Sequence, residues 1–136
     1  MSRRIALVVG TSTGGVGKHV LSLGTGLARR GHRVAVLGPA ESDHALGFTE
    51  AGLRFFPVRI GASPTATDPT AVLKLRTMLK EADTVHAHGI RAGALCSLAG
   101  VRPLVVTAHN APPPLVGPLS VVYPALEKVV AHRADV

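Results

Sequence analysis

An α/β fold built on a parallel sheet, with helices on both faces, is what this sequence predicts. Three observations carry the prediction. Short apolar runs alternate with helix-period segments along the whole length, as a sheet wound by crossover helices requires. The run at 5–9, Ile-Ala-Leu-Val-Val, has no alternating polar residue and so reads as a strand covered on both faces. It passes through a loop of small residues into apolar positions Val16, Val20, Leu23 and Leu27, which fall at helical spacing. With 136 residues the chain makes one domain with a real core. At 46% hydrophobic but 3% aromatic, that core is built from Val, Leu and Ala.

The first strand, loop and helix organise the rest. Gly10 to Gly15 link the 5–9 strand to the helix, placing backbone N–H groups and a positive helix end at one point. Such a point suits an anionic ligand such as a diphosphate; a tight turn whose glycines serve packing only is the competing reading. Arg29 and Arg30 suit the helix C-terminus, and Gly31 stops it. A second strand follows over 33–37, ended by Gly38-Pro39. A short helix is expected over 44–51, ending at Gly52, and a weaker third strand over 53–58, where Pro57 suits an edge.

Asp68-Pro69 reads as an N-cap followed by the first helical residue. The helix expected over 70–81 has Val72, Leu75, Met78 and Leu79 on its apolar face and Lys74, Arg76 and Lys80 outward. The fourth strand (84–88), a helix (91–99) and the fifth strand (104–108) come next. A proline-rich loop over 111–118 leads to a last helix over 119–134, with Pro124 in its early turns. Asp135-Val136 reads as the start of a sixth strand, so the domain is expected to be incomplete at its C-terminus.

The net charge of +7 is scattered rather than clustered, which is first a solvated surface. If it has a partner, anionic lipid or a phosphorylated substrate fits; nucleic acid is not expected, because no basic run is interleaved with aromatics. The single Cys96 forms no internal disulfide and suits a reducing compartment. No apolar segment approaches the roughly 20 residues that span a bilayer. A cytoplasmic location is expected, with peripheral docking on the inner face of the membrane through Lys74, Arg76 and Lys80.

In open α/β sheets ligands sit outside the carboxyl ends of the strands. Three such ends carry unusual residues: the glycine loop, His86-Ala87-His88, and His109-Asn110. Residues two apart share a strand face, so His86 and His88 point the same way. Zinc ligation by this pair lacks a supporting Cys, Asp or Glu cluster, and satisfied structural histidines are the bland alternative. Convergence of the three ends on one cleft is the expectation. A dinucleotide fingerprint fails, because Gly15-Val-Gly17-Lys-His-Val20 lacks its last glycine and Gly38-Pro39 stands where a ribose-binding acid is needed. Thr13-Gly-Gly-Val-Gly-Lys-His19 is similar to the variant phosphate loop of partitioning-type ATPases. His19 there replaces the magnesium-binding hydroxyl. A non-catalytic nucleotide-binding module of that kind is the alternative function.

Taken together, Gly14-Gly15-Val-Gly-Lys-His-Val-Leu, Leu27-Ala-Arg-Arg-Gly-His-Arg-Val-Ala-Val, Asp83-Thr-Val-His-Ala-His-Gly89 and Pro103-Leu-Val-Val-Thr-Ala-His-Asn110 resemble the N-terminal half of a family 4 glycosyltransferase. The resemblance spans essentially the whole chain. It implies one Rossmann-like half of a GT-B architecture, acting in carbohydrate biosynthesis. It also implies retaining transfer of a sugar from a nucleotide-diphosphate sugar to a sugar, lipid or small-molecule acceptor. By the same resemblance Gly14 and Gly15 approach the donor diphosphate, and His109 lies beside the transferred sugar. His86, His88 and Asn110 lie on the acceptor side; no metal or other cofactor is required, and Lys18 has no catalytic role. The donor-binding second domain, with its carboxylates and basic pair, is not found in residues 1–136, so this chain alone is expected to be inactive.

Overall fold

The computed structural model describes residues 1–11, 15–109 and 119–135, apart from the side chains at 119–123. Five parallel strands, β1 (Arg4–Val9), β2 (Arg33–Gly38), β3 (Arg54–Pro57), β4 (Thr84–His88) and β5 (Leu104–Thr107), form one sheet in the order β3-β2-β1-β4-β5. The helices are α1 (Gly15–Arg29), α2 (Ala40–Leu46), α3 (Asp68–Met78), α4 (Ile90–Leu98) and α5 (Leu119–Arg133). The winding runs outward from β1 to β3, then returns across β1 to β4. The strand order therefore reverses between β1 and β4, the place where such sheets open a crevice.

The period-2 geometry of β1 divides the core. Leu7 and Val9 join Val20, Val34, Val36, Phe48 and Leu53 under α1 and α2. Ala6 and Val8 join Leu75, Val85, Ala87, Leu95 and Leu104 under α3 and α4. Leu7 and Val8 are fully buried, so the all-apolar run at 5–9 is explained by helices on both faces. α5 packs on α4, and beyond it the Asp135 amide donates to Leu104 O at 2.8 Å while the Asp135 carboxylate accepts from Leu104 N at 2.7 Å. Asp135 thus returns to the edge of β5, where a sixth strand is expected from the sequence, although no strand is formed at 134–135.

Four local expectations are corrected. The helix expected over 44–51 is instead Ala40–Leu46, because Pro39 precedes it and Gly47, at φ 74°, ends it. Asp43 then caps the following turn, accepting from Thr49 N at 2.8 Å and Thr49 Oγ1 at 2.6 Å, which holds its carboxyl below the usual range. That turn inserts Phe48, fully buried, against Phe55. α3 stops at Met78 rather than at residue 81, and Met78 is 38% exposed instead of facing the core; Ala71 and Leu75 are its buried positions, with Leu79 buried just beyond its end. Asp68 is not the cap of α3. Its carboxylate accepts from the Arg91 guanidinium at 2.8 Å, and Arg91 Nε donates to Gly61 O at 3.1 Å. This largely buried pair ties α3 and the segment after β3 to the start of α4.

Candidate functional site

His86 and His88 lie in register with Leu7 and Val9, and therefore on the α1 face of the sheet. The apolar layer that α1 covers ends at β4 in imidazoles instead of aliphatic groups. The chain leaves β4 through Gly89, whose φ of 96° no side-chain-bearing residue adopts readily, and Gly89 N donates to Thr107 O at 2.8 Å. This contact holds the ends of β4 and β5 together and sets His109 beside His88. The two rings meet through His88 Nδ1 and His109 Nε2 at 2.9 Å.

Two more histidines complete the group. His86 stacks on His88 with ring centroids 4.0 Å apart, and its Nε2 is 2.7 Å from Thr107 Oγ1. His19 comes from the first turns of α1; its ring lies 5.8 Å from that of His88 and 5.4 Å from that of His109. Sequence reasoning gave His19 only a negative role, as a misfit in a phosphate loop. The signal that finds it is spacing, since a residue four places after Gly15 lies one turn along the same helix face.

Burial and mutual repulsion disfavour the charged forms of His86, His88 and His109. Burial pushes the His88 pKa down to about 3, with the neighbouring imidazoles His86, His109 and His19 adding to it. His86 and His109 are lowered in the same sense, each first by burial. One nitrogen, His88 Nε2, is buried with no hydrogen-bond partner among the described residues. An unmet buried polar group costs about 1–3 kcal/mol, so the cluster is not arranged for stability alone.

The expected convergence is therefore present for His86, His88 and His109, with His19 added. Gly15 is the first residue of α1, and a Cβ there would meet nothing within 4 Å, so its backbone faces open space at the same edge. Gly14, Asn110 and the 111–118 loop lie outside the described residues. On the other side of β1, a cleft of about 590 Å³ opens between Thr11, Glu41, Ser42, Arg59 and Gly61. Thr11 closes its floor, with both its N and its Oγ1 donating to Ile60 O at 2.9 Å. These residues carried no motif and were not legible as a site.

Known proteins sharing this sequence and fold fall mainly in one group. The phosphatidyl-myo-inositol mannosyltransferase of Propionibacterium freudenreichii subsp. shermanii is 33% identical over 118 residues, taking in 75% of this chain and 31% of that protein. The short-chain dehydrogenase fogD of Aspergillus ruber is 35% identical over 103 residues, 74% of this chain and 30% of that protein. The chain thus spans about a third of the length of these curated relatives. The crystal structure of the Streptomyces sp. SF2575 glycosyltransferase SsfS6, complexed with thymidine diphosphate, superimposes with a TM-score of 0.56. That alignment is 19% identical and covers 96% of this chain and 44% of that one, a likeness of fold. The two curated relatives differ in chemistry, and β2 here ends at Gly38 and Pro39 without the acid that a dinucleotide ribose would need. The pattern described as "Glycosyl transferase 4-like domain" matches residues 14–136, and the chain belongs to that family.

Proposed function

We propose that this chain supplies the acceptor-side half of the active site of a retaining glycosyltransferase, which moves a sugar from a nucleotide-diphosphate sugar to an acceptor. The observation that carries the reading is the imidazole group His86, His88, His109 and His19 at the point where the strand order reverses. A second domain, on the same polypeptide or a partner chain, would face it and hold most of the nucleotide. The chain's coverage of about a third of its curated relatives supports that view.

In this reading the N-terminus of α1, with Gly14 and Gly15, meets the diphosphate as its bond to the sugar breaks. Backbone N–H groups and the helix dipole stabilise the departing charge without a metal. His109 is held by His88 and kept neutral, so it hydrogen-bonds the sugar without placing a positive charge beside an anomeric carbon that becomes electron-poor. His86, His88 and Asn110 line the acceptor side, and the cleft beside Glu41 and Arg59 gives the acceptor polar contacts. The enzyme works in the cytoplasm. Lys74, Arg76 and Lys80, all exposed, and Leu73, at 60% exposure, face an anionic membrane surface.

The test is sugar transfer by the native polypeptide supplied with nucleotide sugars. His109→Ala is expected to lower turnover by about 10²–10³-fold, the scale of losing one preorganised transition-state contact. Residues 1–136 alone are expected to give negligible transfer. Unchanged turnover in His109→Ala would remove the role given to this residue, and full transfer by 1–136 alone would remove the second domain.

A further inference from the structure

We infer that His19, His88 and His109 form a binding site for a divalent transition-metal ion of the zinc class. One ring nitrogen from each lies within 4.8 Å of the other two. Ligand nitrogens around a tetrahedral zinc, with bonds of 2.0–2.1 Å, sit roughly 3.3 Å apart. The His88 and His109 nitrogens, at 2.9 Å, are already near that spacing. The third donor is on His19, exposed on α1, within 4.8 Å of the other two.

The donor set selects the ion. All three groups are imidazoles, with no carboxylate in the cluster, which suits zinc, copper or nickel and not magnesium or calcium. Ligating imidazole must be neutral, and the unperturbed pKa of histidine makes that form available at neutral pH. An outer layer is in place as well: His86, bonded to Thr107 Oγ1, stacks on His88 and fixes its ring.

Three protein nitrogens leave a fourth coordination position open at the crevice. A metal there replaces the His88–His109 contact that holds His109 for a sugar, and it fills the part of the crevice the sugar would enter. Metal and donor therefore exclude one another; this consequence, unlike the binding itself, rests on the transferase reading above.

The experiment is a calorimetric titration of Zn²⁺ into the native polypeptide at neutral pH, with Co²⁺ as a visible-absorbance probe of four-coordination and Mg²⁺ as a control. One equivalent of Zn²⁺ is expected to bind, with Co²⁺ giving the tetrahedral spectrum and Mg²⁺ giving no heat. His19→Ala, an exposed substitution that leaves the fold intact, and His109→Ala should each weaken Zn²⁺ binding by at least about 10–100-fold. His44→Ala, an exposed histidine on α2 outside the cluster, should leave it unchanged. Absence of saturable Zn²⁺ binding, or equal affinity in His19→Ala and the parent, would overturn the site. Transfer lost in His109→Ala without any metal binding would remove the metal and keep the transferase; metal binding with no transfer would do the reverse.

Discussion

β1 and β4 run side by side, yet their two ends are finished in opposite ways. At the N-terminal end, Arg4 N donates to Asp83 Oδ2 at 2.7 Å, Asp83 N donates to Arg4 O at 2.7 Å, and the Arg4 guanidinium reaches Glu81 at 2.8 Å. Every one of these charged groups has a partner, and all are in contact with water. At the C-terminal end the strands close on imidazoles, one of them carrying a buried nitrogen without a partner among the described residues. The first end is built to hold strands in register. The second accepts an energetic cost, at the end where the proposed function places its ligands.

The largest expected effect sharpens that contrast through pH. His88 titrates near its ordinary 6.5 in the unfolded chain but only at about 3 in the folded one. The unfolded state therefore takes up a proton that the folded state refuses. Stability is complete above pH 6.5 and falls as pH drops from 6.5 toward 3, by on the order of 4 kcal/mol for this residue alone. His86 and His109, lowered likewise, add in the same direction. Urea unfolding at pH 7.5 and at pH 5, a window that spares the carboxylates, should show the decline, and His88→Asn should flatten it. An equally steep decline in His88→Asn would show that the acid sensitivity lies elsewhere.

Next in size is the ion pair that ties α3 and the segment after β3 to the start of α4. Asp68 and Arg91 have side chains 18% and 10% exposed. Asp68→Ala leaves the buried guanidinium with only Gly61 O, and a loss of about 3 kcal/mol in unfolding free energy is expected. A pairing worth as little as a surface contact would give a urea midpoint near the parent's. Gly38→Ala follows. A Cβ at the end of β2 would stand 2.6 Å from Val9 Cγ2 and 2.8 Å from Val9 O. The backbone atom cannot step aside, so a cost of about 1–3 kcal/mol is expected, read from the same unfolding curves.

These cases show what the sequence made legible. The sheet was readable because unbroken apolar runs such as 5–9 admit few alternatives, and His86, His88 and His109 because each stands at a strand end. His19 was hidden: on a helix its neighbours are set by packing against β4, which no local pattern reports. Asp68 shows the same limit. Asp-Pro at a helix start reads as a cap, but a buried arginine 23 positions away competes for the carboxylate and wins, being charged and short of acceptors. The helix expected over 44–51 ends at Gly52 in the sequence, but Gly47 takes positive φ as well, and Asp43 decides by capping the turn between them.

The smallest effect closes the comparison at the N-terminal end. Asp83→Asn removes a charge from the Arg4 network but keeps an oxygen that accepts from Arg4 N, so the strand register survives. The lowered pKa of Asp83, set first by its backbone hydrogen bond to Arg4, shows that the interaction exists. Contact with water and salt nonetheless limits what such a pair, with side chains 48% and 37% exposed, adds to folding. Its urea midpoint is expected to match the parent's within error at ordinary ionic strength. A loss as large as that of Asp68→Ala would mean that the N-terminal end is the energetic anchor of the sheet. The division between a stabilising end and a ligand-binding end would then have to be redrawn.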